Sequence, residues 1–183
     1  MTIEERLEAL ENELQDFKDR KAILDCIQRE CRARDRQDVE QIEGCWWDDG
    51  IDEHGPKIYR MPGIAEAFNA SHQARLRSTS HHITNHLCEI VGDMAFCESY
   101  TLANIFLKDS DTTILCIGRY VDRLEKRNGE WRLLMRACVL DMSVNADGSG
   151  VHSWLAGYRK GLWSRDDTSY DRNFVVGGEA MRW

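Results

Sequence analysis

Ile3, Leu7, Leu10, Leu14 and Phe17 recur at alternating four- and three-residue spacings among acidic and polar neighbours. That is the seam of a short heptad helix. Its default place is against its own domain, and the alternative is a subunit contact. The helical pattern continues from Asp19 to about Arg34, with Ala22, Ile23, Cys26, Ile27 and Cys31 as its apolar stripe. A second, short helix is expected over Asp38–Trp46, carrying Val39, Ile42 and Cys45. The following segment, DDGIDEHGPKIYRMP (48–62), holds two glycines and both prolines of the chain, so it reads as strand or loop with turns. A third helix is expected from about Gly63 to Arg77.

Beyond Ser80 the pattern changes to β-rich runs at Thr84–Val91, Ala95–Leu107, Thr113–Glu125 and Trp131–Val144. Asp93 falls in one connection, and Arg127-Asn128-Gly129 supplies a hairpin turn between the last two runs. Helices first and an antiparallel meander afterwards predict an α+β domain, with helices on one face of a curved sheet. The last 35 or so residues, rich in glycine, read as an irregular extension. The expected organisation is therefore an amphipathic helix over 1–18, a domain over 19–145 and an extension over 146–183.

Composition narrows the function classes. Charged residues make up 31% of the 183, with a net charge of −8. That balance argues against nucleic acid, which demands a local excess of Lys and Arg. No apolar run approaches the ~20 residues of a membrane helix. The acidic opening MTIEERLEALENELQ is unlike a signal or transit peptide, so a cytoplasmic protein is expected. Seven cysteines form no CxxC pair and mostly sit in apolar runs, where Cys behaves as a small hydrophobe.

Candidate chemistry concentrates in STSHHITNHLCEI (78–90). His81, His82 and His86 invite a metal reading, but strand alternation sends His82 and His86 to one face and His81 to the other. No acidic or Cys ligand stands at a recognisable zinc spacing, so no metal is expected. A lone strand His is by default a hydrogen-bonded structural residue. Asp35, at the end of the first helical run, is by default a solvated cap or a partner of Arg32 or Arg36. Alternation places Leu134, Arg136, Cys138 and Leu140 on one face, which buries Arg136 among apolar neighbours. A buried Arg needs an anion or acceptors, with Asp122 as a structural option.

The order of a helix, RARDRQD (32–38), WWDDGIDEHG (46–55), HHITN (81–85) and RYVDRLEKRNGEWRLLMR (119–136) resembles the SnoaL-like branch of the nuclear-transport-factor-2-like superfamily over about residues 15–145. It is nearest to the lindane dehydrochlorinase, scytalone dehydratase and bile-acid 7α-dehydratase types. The resemblance implies a cone-shaped α+β barrel with a deep pocket, a His–Asp pair and no cofactor. It puts Asp35 and His81 in the catalytic roles, with Arg136 and Tyr59 assisting. It implies a pocket including Tyr120, Glu30, Trp46, Trp47, Asn85 and Leu140. The chain departs from the pattern at Glu30, where the dehydrochlorinase type has Lys and the bile-acid type Tyr. The implied activity is base-promoted elimination (dehydration, dehydrohalogenation or deformylation, including of lignin-type diaryl compounds) on a small hydrophobic aromatic or alicyclic substrate. A ketosteroid-isomerase-like proton transfer and a non-catalytic binding domain are the alternatives. The relatives form trimers, which implies a homo-oligomer here.

Overall fold

The computed structural model describes all 183 residues. Helix α1 runs unbroken over Ile3–Arg34. Its start is fixed by a reciprocal cap: Thr2 Oγ1 accepts the Glu5 backbone N–H at 3.1 Å, and the Glu5 carboxylate accepts the Thr2 N–H at 2.7 Å. The apolar seam does not pack on its own domain. Leu14 is 51% and Ile3 83% exposed, with the other three seam residues between them, because the first half of α1 projects beyond every other element. Packing begins at Ile23 and continues through Cys26, Ile27 and Cys31, while Ala22 faces out.

Short α2 (Val39–Gly44) is capped by Asp38, whose side chain accepts the Gln41 N–H. It ends before Trp46, which instead opens strand β1 (Trp46–His54). β2 (Lys57–Arg60) pairs back on β1, so the Gly- and Pro-bearing segment is a hairpin. Helix α3 (Ile64–Arg75) follows, and then come four long strands: β3 (Leu76–Val91), β4 (Met94–Leu107), β5 (Thr112–Arg127) and β6 (Glu130–Asp147). They form one sheet in the order β2-β1-β6-β5-β4-β3, antiparallel except between β1 and β6. The β5–β6 turn uses Asn128 and Gly129, both at positive φ (52° and 82°), as a two-residue hairpin requires.

The core fills the space between the helices and the inner face of the sheet: Ile23 and Ile27 of α1, Trp46, Phe68 of α3, and Leu124, Trp131 and Leu133 of the last two strands. This is the α+β cone expected from sequence. No helix is long and apolar enough to cross a membrane. The segment after Asp147 holds two 3-10 turns and one isolated antiparallel bridge, between Arg159 and Arg182. It is fastened over α1 and α2, where Arg165 and Tyr170 both donate to the Asp38 carboxylate and Arg32 donates to Ser169 Oγ.

Two irregularities decide which side chains face inward. In β3, Ile83 pairs with Thr101 but His86 pairs with Ser99, so β3 carries one extra residue around Thr84 and Asn85. The bulge reverses parity. His81 and Ile83 point inward before it, and His86, Cys88 and Ile90 point inward after it. His81 and His86 therefore share the inner face, and His82 is exposed, contrary to simple alternation. In β6 the register shifts beside Leu134, so Leu133 enters the core together with Arg136.

Candidate active site

Asp35 is the C-cap of α1 and 7% exposed. Its carboxylate accepts three hydrogen bonds. His81 Nδ1 lies 2.6 Å from Oδ1, the His81 backbone N–H donates to Oδ2 at 2.7 Å, and Thr79 Oγ1 donates to Oδ1 at 2.9 Å. Thr79 and His81 are two apart on β3 and so share a face, which is the signal that could have identified Thr79. Burial alone pushes the Asp35 carboxyl up, but the hydrogen bonds from His81 and Thr79 outweigh it and hold it below its ordinary value. An ionised Asp35 can only accept, so the proton of neutral His81 sits on Nδ1 and the lone pair on Nε2. A pocket of about 390 Å³ adjoins the pair, with Cys31, Arg32, Arg36, Ser80 and Ile83 among its walls.

The second cluster is deeper. Glu30, fully buried, accepts from Arg34 Nε and, at 2.6 Å, from Arg136 Nη1. Arg136 also grips Asp122 with Nε and Nη2 at 2.7 and 2.8 Å, and Arg34 Nη2 donates to Asp52 at 3.0 Å. Burial raises the Glu30 carboxyl, but the two guanidinium groups bring it down to about 2. With three carboxylates for two guanidiniums, Asp122 goes the other way: burial and its carboxylate neighbours push it up against the pull of Arg136.

The other sequence-predicted residues separate around these clusters. Tyr120 is buried with its ring 3.9 Å below the Arg136 guanidinium. Trp46 is fully buried and directs Nε1 toward Glu30 at 3.5 Å. Tyr59 stacks on Phe68 at 4.4 Å, within an aromatic group that includes His54 and His72. Three expected pocket residues lie elsewhere. Trp47 donates to the Glu125 carbonyl beneath Arg127 and Arg132, because strand alternation turns it away from Trp46. Asn85 is exposed because it sits in the β3 bulge. Leu140 keeps the register of Arg136 but is 59% exposed, because this end of β6 runs beyond the buried core, whose last β6 member is Leu133.

Sequence reasoning did not single out Arg34 as an ion-pair partner, Asp52 or His72. Arg34 stands four residues after Glu30, the helical spacing for an ion pair, whereas nothing local marks Asp52. His72 is pushed down to about 4, first by burial and then by the positive charge of Arg34. It is therefore a neutral imidazole at neutral pH.

A model of the SnoaL-like domain matches residues 15–137. Hexachlorocyclohexane dehydrochlorinase LinA-type3 from Novosphingobium barchaimii LL02 has the same fold, with a TM-score of 0.69 at 23% identity over 74% of this chain and 95% of that one. A scytalone dehydratase candidate from Novosphingobium aromaticivorans DSM 12444 gives 0.64 at 19% identity, over 72% and 90%. A protein of unknown function from Mycobacterium tuberculosis gives 0.60 at 28% identity, over 69% and 73%. No curated protein matches the sequence.

Proposed function

This chain belongs to the SnoaL-like domain family, and from that premise we propose that it is a cofactor-independent lyase with His81 as its general base. The observation that carries the proposal is the division of labour on one imidazole. Asp35 takes Nδ1 and the backbone N–H of the same residue, and Nε2 is left without a partner within the chain beside a pocket. An imidazole so oriented accepts a proton at Nε2, and the ionised Asp35 stabilises the imidazolium that results.

The reaction is elimination from a small hydrophobic aromatic or alicyclic substrate. For a halide, His81 removes a proton from carbon as the carbon–halogen bond breaks with its electron pair; for a hydroxyl, the imidazolium returns that proton to the departing oxygen, which leaves as water. In the deformylating case His81 takes the hydroxyl proton, the carbon–carbon bond breaks to release formaldehyde, and the carbon left with the electron pair takes the proton back from the imidazolium. Arg32 and Arg36 on the pocket wall suit a group that departs with negative charge. Arg136 donates from all three guanidinium nitrogens to Glu30 and Asp122, so it acts as a positioning residue. It holds α1, and with it Asp35, against the sheet. Tyr59 and Tyr120 shape the interior rather than meet the pair.

Mass spectrometry of the wild type and of His81→Ala with hydroxylated aromatic, steroid and chlorinated compounds tests this without added cofactor. Loss of water, HCl or formaldehyde only with the wild type supports it. Loss that survives in His81→Ala, or deuterium relocation with no group lost, overturns it in favour of another base or of an isomerase.

The assembly reading is a homo-oligomer, with a trimer favoured. The outer face of the sheet carries a groove of about 760 Å³ lined by exposed Leu87, Phe96, Val121 and Met135. Glu53, Glu89, Arg60 and Arg123 also line it, a mixture of charge signs that a self-complementary face needs. A monomeric mass in solution would sink this reading.

A further inference from the structure

The β3–β4 hairpin brings together residues that the sequence separates. Cys88 stands directly opposite Cys97 in the β3–β4 register, and His86 stands opposite Ser99. One ligand atom each of His86, Cys88 and Cys97 lies within 4.8 Å of the other two. Ser99 Oγ engages His86 Nδ1 at 2.8 Å, while His86 Nε2 is buried with no hydrogen-bond partner.

We propose that His86, Cys88 and Cys97 form a site for a thiophilic d10 cation, with zinc(II) as the probe. Two thiolates and an imidazole are the donor set that zinc favours, and Zn–S and Zn–N bonds of about 2.3 and 2.0 Å require only a modest closure of the cluster. Binding at Nε2 uses the nitrogen that the chain leaves free. The Ser99 hydroxyl then supports the ring from behind, as outer-shell partners of metal-bound histidines do.

The site stands apart from the Asp35–His81 chemistry. It joins β3 to β4 on the inner face of the sheet, where Cys97 belongs to the core and Arg20 of α1 donates to the Cys88 carbonyl. The consequence is a clamp on the strand that carries His81. It leaves the elimination mechanism free of metal.

The test is equilibrium dialysis of the full chain against zinc(II), under a phosphine reductant that keeps all thiols reduced. Cobalt(II) substitution reads thiolate ligation by its charge-transfer band. The expected result is one zinc per chain with thiolate-to-cobalt absorption. Cys88→Ser, at the half-buried position, should abolish that band and weaken zinc binding at least 100-fold. Ser99→Ala should weaken it roughly 10-fold. Cys116→Ser, outside the cluster, should leave it unchanged. Circular dichroism of each variant separates lost binding from lost fold. Should Cys88→Ser lose its fold, Cys88→Ala and His86→Gln replace it. Zinc that does not bind the folded wild type, or binds Cys88→Ser equally well, overturns the proposal. Neither result depends on whether His81 catalyses elimination.

Discussion

Glu30 and Asp35 close the same helix, are both nearly inaccessible, and are treated in opposite ways. Glu30 receives two guanidinium groups and belongs to a network in which all three nitrogens of Arg136 donate to carboxylates. The Asp35 carboxylate receives no guanidinium group; Arg36 donates to the Asp35 backbone carbonyl instead. The carboxylate is satisfied by a hydroxyl, a backbone N–H and one side of an imidazole. The Glu30–Arg136–Asp122 part of that network is costly to perturb and leaves no nitrogen of Arg136 without a carboxylate; the network's unpartnered atoms are Arg34 Nη1 and Asp52 Oδ1. A carboxylate that orients an imidazole with one free nitrogen retains a site for a proton. On the proposed reading, the free nitrogen on that partner ring, more than burial or charge, sets Asp35 apart from Glu30.

The sharpest way to break this comparison is His81→Ala. Positioned general-base catalysis is worth roughly 10²–10⁴-fold, so turnover should fall by that factor while far-UV circular dichroism stays unchanged. Arg136→Met should show the reverse emphasis. It leaves Asp122 buried without its cation and Glu30 with Arg34 alone, which costs about 3–5 kcal/mol of stability. Urea denaturation measures this, and activity should fall only in proportion to the folded fraction. Should Arg136→Met remain stable but lose turnover as far as His81→Ala does, Arg136 is a catalytic residue and the division between the clusters fails.

Much of this contrast could be read in the sequence, and the rest depended on features that strand periodicity does not encode. Asp35 and His81 were legible because a family pattern marked both, and the helix–meander order predicted the α+β cone. The inward face of β3 was not legible, because one extra residue at Thr84–Asn85 reverses every side chain beyond it. Simple alternation therefore separated His81 from His86, and the Cys88–Cys97 pair was missed for another reason: it depends on the register of the β3–β4 hairpin. Nor was the closure of Arg136 on Glu30 legible, since its partners come from α1 and β5 and meet only in the folded chain. The exposed seam of α1 was legible as a helix but not as an unburied one. Periodicity reports an apolar stripe without saying what covers it.

Acid sharpens the same contrast with a smaller effect. The folded-state Glu30 carboxyl lies at about 2 against an ordinary 4.5. Its contribution is thus fully present above about pH 4.5 and is lost as pH falls toward 2, an amount on the order of 3 kcal/mol. Asp122 opposes this in part: a raised carboxyl penalises the fold at neutral pH and relieves it on protonation. Urea titrations at pH 7 and pH 3 should show the wild type losing stability on acidification, and Glu30→Gln losing distinctly less. An equal loss in both proteins would place the acid sensitivity in Asp35 or Asp52, whose carboxyls are also held low.

The smallest expected effect falls on the open pair itself. Thr79 donates to the same Asp35 oxygen that faces His81 Nδ1. Thr79→Val keeps the β-branched shape that β3 packs but removes that donor. The stability cost should be about 1 kcal/mol, the net worth of one hydrogen bond. Catalysis should respond through the imidazole. With one donor removed, the Asp35 carboxylate is anchored less firmly and the imidazole it orients loses part of its support. The kcat of the folded enzyme should therefore fall, by less than about tenfold, while KM stays unchanged. A merely structural Thr79 would lower stability and leave the kcat of the folded enzyme in place. The split between kcat and KM, more than stability, is the measurement that separates a residue positioning the pair from one that only fills the wall beside it.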